Sequence, residues 1–163
     1  MSDDAENDRP IRLEEFNASD CLIYGIGNIG RQDDGLGWAF IDKLEQIRIC
    51  PKADTTRHYQ LHLEDADLIS HKRRVLFVDA TKAPHVDSFQ LTHIAPKIES
   101  SFTSHALSIP TILATCHQCF DRYPDVYLLA IRGYHWALKQ GLTPRAEKNL
   151  RTAINNHIST PIS

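Results

Sequence analysis

Apolar residues in this chain fall into short blocks separated by polar and glycine-bearing segments, and the period within the blocks changes along the sequence. Cys21-Leu-Ile-Tyr24 is a continuous apolar run ending at Gly25, the pattern of a buried strand followed by a turn. From Leu36 onward, Phe40, Leu44 and Ile47 recur at helical spacing, which predicts an amphipathic helix that ends before Pro51. A second strand is expected over Thr56 to Leu61, and a short helix over Asp65 to Lys72. Val75-Leu-Phe-Val-Asp79 is apolar on both faces and ends in an acid, as a central strand of a parallel sheet covered on each side should be. Ser88 to Ile94 alternates and suits an edge strand.

A helix is expected over Thr111 to Phe120, after Pro110, and another buried strand over Asp125 to Ile131. Thr143-Pro144 opens a terminal helix, with Thr143 as N-cap and Pro144 at the first position. Strands alternating with helices predict an α/β fold. It is a three-layer sandwich, a mostly parallel twisted sheet with helices on both faces and right-handed crossovers. Working residues in such sheets gather beyond the carboxyl ends of the strands.

Composition narrows the function. A chain of 163 residues is one domain with a real core. Lys and Arg total 18 against 21 Asp plus Glu, so no basic surplus points to nucleic acid. The longest apolar runs have strand length, which predicts no membrane span. Residues 1–15 are largely acidic and polar, expected as a disordered leader rather than a secretory signal; residues 16–163 then form a single α/β domain. Cys21, Cys50, Cys116 and Cys119 are too few for a disulfide scaffold, which places the protein in the cytoplasm with reduced thiols.

Gly25, Gly27 and Gly30 spell G-x-G-x-x-G after the first strand, the spacing of a dinucleotide-binding turn. Asp33 and Asp34 follow at once, at the mouth of a helix, where two carboxylates would repel a pyrophosphate. The segment is built to hold something positive. Asp34 is either a helix N-cap or a ligand, and Asp33 is the better structural cap. Asp79 ends a hydrophobic strand at the functional edge, and His105 lies in a loop before a helix. Two carboxylates and an imidazole form a mixed oxygen–nitrogen set suited to zinc or nickel. Cys116-His-Gln-Cys119 lacks a second ligand pair and falls in a helix, so its thiols are expected to be small buried hydrophobes. His71-Lys-Arg-Arg74 and Arg57-His58 fit solvated surface, and the former could also meet an acidic partner.

Several motifs occur in a fixed order. G-I-G-N-x-x-R-x-D-D-G-x-G precedes V-L-F-V-D-A, then S-H-A-L-S, Pro124-Asp-Val-Tyr-Leu-Leu-Ala-Ile-Arg-Gly133 and Gly141-Leu-Thr-Pro144. Over residues 20–158 this set resembles the hydrogenase maturation endopeptidases, which trim the C-terminal extension of the nickel–iron hydrogenase large subunit. The resemblance implies a metal-interacting triad of Asp34, Asp79 and His105, and a hydrogenase large-subunit precursor as partner. It implies no stored cofactor. Nickel is presented by the substrate, with zinc or another divalent ion able to substitute in vitro.

Two segments depart from the family pattern. Tyr59-Gln-Leu-His-Leu-Glu64 stands where many members carry a glycine-rich segment, a form similar to a subset linked to soluble hydrogenases. Trp136-Ala-Leu-Lys-Gln140 replaces frequent acids, which points to a different cognate subunit. The alternatives are a Rossmann-like nucleotide-binding domain and a non-catalytic chaperone or binding module on the same fold. The first needs an acid at the end of the second strand, which Asp54 and Glu64 do not supply. The second is disfavoured by retention of all three candidate ligands.

Overall fold

A computed structural model describes residues 11–98 and 107–159. In chain order the elements are β1 (Cys21–Ile26), α1 (Leu36–Ile47), β2 (Asp54–His58), α2 (Asp65–Ser70), β3 (Arg74–Thr81), β4 (Phe89–His93), α3 (Ile109–Phe120), β5 (Asp125–Arg132) and α4 (Pro144–Ser159). The sheet order is β2-β1-β3-β5-β4. The first four strands are parallel, and β4 runs antiparallel to β5 as the edge expected from its alternation.

Side chains alternate across the sheet and so divide the core in two. Leu22, Tyr24, Val75, Phe77 and Val126 face α2 and α3, where they meet Ala66, Ile69, Ile112, Leu113 and Cys116. Cys21, Ile23, Leu76, Val78, Leu129 and Ile131 face the opposite way, toward Phe40 and Leu44 of α1 and Ala146, Leu150 and Ile154 of α4. Full burial of one such large apolar side chain contributes about 1.5–3 kcal/mol. The three-layer α/β sandwich is therefore dictated by strands that are apolar on both faces.

Some boundaries differ from the sequence reading. β2 begins two residues before Thr56 and ends at His58, because its register follows β1, with Leu22 opposite Asp54 and Ile26 opposite His58. α3 begins at Ile109 with Ser108 as N-cap, its Oγ accepting the Thr111 N–H at 3.3 Å, so Pro110 lies inside the first turn. Residues 11–15, assigned to the leader by composition, include Ile11 and Leu13, which are buried; Leu13–Phe16 is a 3-10 turn packed on the core. Residues 1–10 lie outside the described residues. Among the described residues, no helix is long and apolar enough to cross a membrane.

The topology fixes the place where function gathers. The crossover after β1 carries α1 over one face, and the crossover after β2 carries α2 over the other. The chain thus changes face between the adjacent strands β1 and β3, and the crevice beyond their carboxyl ends is a topological switch point.

Candidate functional site

Asp34 and Asp79 both belong to this crevice. Asp34 sits in a 3-10 turn, Gln32–Gly35, that runs directly into α1. Its Oδ2 accepts the Asn28 N–H at 2.9 Å. Asp79 lies in β3 opposite Ala130 of β5, and its Oδ1 accepts the Ala80 N–H at 2.8 Å. Each carboxylate therefore has one oxygen engaged and a second with no hydrogen-bond partner among the described residues.

Burial raises the Asp79 carboxyl most. The Ala80 N–H lowers it, the charge of Asp34 raises it again, and the net result is a group pushed up to about 7. Near neutral pH, Asp79 is thus poised between proton donor and proton acceptor.

Glycines hold this arrangement, though not as a cofactor cradle. Gly27 has a φ of +142°, and the space where a Cβ would stand is occupied by the Asp34 backbone carbonyl. Gly37 brings the first turn of α1 against the Ile26 and Val78 carbonyls, with no room for a side chain. The close approach that the motif permits is made by the protein's own backbone, so the room that a pyrophosphate needs is filled. β2 ends in His58, and Asp54 starts that strand in an ion pair with Lys72, so the acid of a ribose site is missing as well.

Asp33 does not cap α1; that position is Gly35, with no side-chain cap. Its fully buried carboxylate instead accepts four hydrogen bonds. Oδ2 takes the Tyr134 N–H at 2.8 Å, the His135 N–H at 3.1 Å and the Thr143 hydroxyl at 2.8 Å. Oδ1 takes the Thr143 N–H at 2.8 Å. Burial alone would raise this carboxyl, but the Thr143, Tyr134 and His135 donors outweigh it and hold Asp33 below the ordinary aspartate range. Its role is structural, as anticipated, but it tethers the loop 134–143 beside Asp34.

His105 lies outside the described residues. Among the described residues, no group of three His, Cys, Asp or Glu is placed to hold a metal ion. Sequence reasoning missed Asn28, whose N–H fixes Asp34 while its own Oδ1 accepts the Gly30 N–H at 2.8 Å. It also missed Trp38, which stacks on Tyr59 with centroids 5.0 Å apart and donates its indole N–H to the His58 carbonyl at 3.0 Å. Asn after G-x-G was the available signal for the first; a stack across two elements leaves none.

The other sequence candidates resolve as structure. Cys116 is buried in α3, as expected of a small hydrophobe, whereas Cys119 is exposed, and all four cysteines are free. Arg57, Lys72, Arg73 and Arg74 pair with acids of this chain rather than standing as an open basic surface.

No protein-family model matches the chain, and no curated protein matches its sequence. Solved structures do match its fold. The hydrogenase maturating endopeptidase HybD from E. coli superposes with a TM-score of 0.65 at 17% identity, covering 83% of this chain and 88% of that one. A [NiFe] hydrogenase maturation protease, HycI from Thermococcus kodakarensis, gives 0.67 at 17% identity over 88% and 94% of the two chains. A hydrogenase 2 maturation peptidase from a Thaumarchaeota archaeon gives 0.59 at 16% identity over 83% and 93%. The chain has the fold of the hydrogenase maturation proteases, the family whose motifs its sequence resembles.

Proposed function

We propose that this protein is a peptidase of the hydrogenase maturation type, a hydrolase that removes the C-terminal extension of a nickel–iron hydrogenase large-subunit precursor once nickel is inserted. The observation that carries the reading is the pair Asp34 and Asp79, facing one crevice at the β1/β3 switch point, each with an uncommitted oxygen among the described residues. The fold shared with maturation proteases supports it.

In this reading Asp34 and Asp79 offer oxygen donors and His105 a nitrogen donor to nickel carried by the substrate; the protein stores no metal of its own. Such a mixed set suits a borderline divalent ion. Engaging the ion brings the scissile bond to the crevice and converts recognition into proximity. A bound divalent ion supplies polarisation of a carbonyl or a water. Asp79, titrating near 7, is the group best matched to accept and return a proton during hydrolysis. In this reading the reaction takes place in the cytoplasm, the compartment expected from the four cysteines being reduced.

The test is precursor processing by Asp34→Asn, Asp79→Asn and His105→Ala, each verified as folded by circular dichroism. Processing should be lost in all three. Full processing by His105→Ala would remove the histidine from the site, and full processing by both aspartate variants would end the proposal.

A further inference from the structure

Among the described residues, four cations of this chain that lie away from the crevice are matched with acids. Arg57 contacts Asp42 at 2.6 Å and Glu45 at 2.8 Å, Arg73 contacts Asp20 at 2.9 Å, Arg74 lies 3.6 Å from Asp125, and Lys72 pairs with Asp54. At the rim of the Asp34–Asp79 crevice the fold gathers cations that have no such match among the described residues. Arg31 and Lys139 are both exposed and are brought side by side by a parallel backbone bridge, with the Gln32 N–H donating to the Lys139 carbonyl at 2.8 Å. Lys82, three residues beyond Asp79, places its ammonium 4.9 Å from the centre of the Trp136 ring. Among the described residues, none of these three cations makes an ion pair.

The rim is also held in place. Asp33 binds the backbone of Tyr134, His135 and Thr143, and Gln32 Oε1 accepts the Ala137 N–H at 3.3 Å. Loop 134–143 is therefore tied to the two residues that precede Asp34. Like charges held together on a tethered backbone repel one another, and an anion bound between them relieves that repulsion. An indole beside the cations adds an apolar platform. The exposed acids Asp87 and Glu147 belong to the same flank but pair with none of the three. Nucleic acid fits poorly, because the chain carries a net charge of −3 and the crevice presents two carboxylates.

We propose that Arg31, Lys82, Lys139 and Trp136 form a docking rim for an acidic peptide segment, the stretch of substrate lying beside the bond presented to Asp34 and Asp79. This rests on the peptidase reading above. The rim sets which peptide is accepted, whereas the crevice acts on it.

The experiment is fluorescence anisotropy on the full chain with a labelled glutamate-rich peptide, its glutamine counterpart and an oligothymidylate of matched charge. The glutamate peptide should bind about tenfold tighter than the glutamine peptide, and the difference should shrink with added salt. Arg31→Gln with Lys139→Gln should abolish the preference, and Lys82→Gln alone should reduce it. Arg57→Gln with Arg73→Gln, which removes cations already paired elsewhere, should leave it intact. Thermal melts verify that each variant is folded. Equal binding of the two peptides, a preference that survives in the Arg31/Lys139 variant, or tighter binding of the oligothymidylate would overturn the proposal. Binding is read without cleavage, so a protein that processes its precursor but shows no preference sinks the rim alone. One that shows the preference but never processes sinks the peptidase reading.

Discussion

The charge of Asp34, in the turn between β1 and α1, helps to hold a proton on Asp79, near the end of the neighbouring parallel strand β3. This is a like-charge pair at a partly buried site, where two full ionisations oppose each other. The arrangement is unfavourable to the folded protein alone and favourable to a bound cation, which links the site's strain to its ligand.

That link has a pH signature. Asp79 titrates near 7 when folded against 3.8 ordinarily, so between these values the folded state binds more protons than the unfolded state. Stability therefore falls as pH rises through this window and levels off above about pH 7. Asp79→Asn removes the titration. The variant should match the wild type near pH 4 and exceed it by about 1–3 kcal/mol at pH 8, allowing for water at a partly exposed group. Urea unfolding at the two pH values measures this, and a difference independent of pH would contradict it.

Asp33 behaves in the opposite sense. Its carboxyl is held below the ordinary range, so its contribution is present at neutral pH and is lost as acid protonates the folded form. Asp33→Ala leaves three N–H groups and one hydroxyl without their acceptor and should cost about 3–5 kcal/mol at pH 7. Asp33→Asn keeps the shape and should cost less. Denaturant midpoints at neutral pH separate the two, and an Ala variant within about 0.5 kcal/mol of wild type would show that the tether carries no load.

Gly27→Ala places a methyl group where the Asp34 carbonyl stands, at a φ of +142° that other residues rarely adopt. A loss of about 3 kcal/mol or more is expected, together with loss of processing, because relief of the overlap must displace Asp34. A substitution that lowers neither would mean that the turn is not rigid.

The sequence disclosed the fold through β3 and α1. Val75 to Val78 is apolar on both faces because helices cover both, and the spacing of Phe40 and Leu44 stated one helix face, although Ile47, at the end of α1, is exposed. β2 was less legible because it is an edge strand with little apolar content, and pairing with β1 sets its ends. Asp34 could be picked out because it follows a glycine turn at the mouth of a helix, and Asp79 because it ends an apolar strand at the edge where function gathers in such sheets. Asp33 was misread as a cap because its donors come from residues 134–143, about a hundred positions away, a distance that no local pattern encodes. The pairing of Arg73 with Asp20 and Arg74 with Asp125 was hidden for the same reason.

The role given to substrate nickel stands or falls on one comparison, the processing of nickel-loaded and nickel-free hydrogenase large-subunit precursor by the purified protein. The loaded precursor should lose its C-terminal extension, and the nickel-free form should stay intact under the same conditions. Equal cleavage of both forms would contradict recognition of the metal by Asp34, Asp79 and His105.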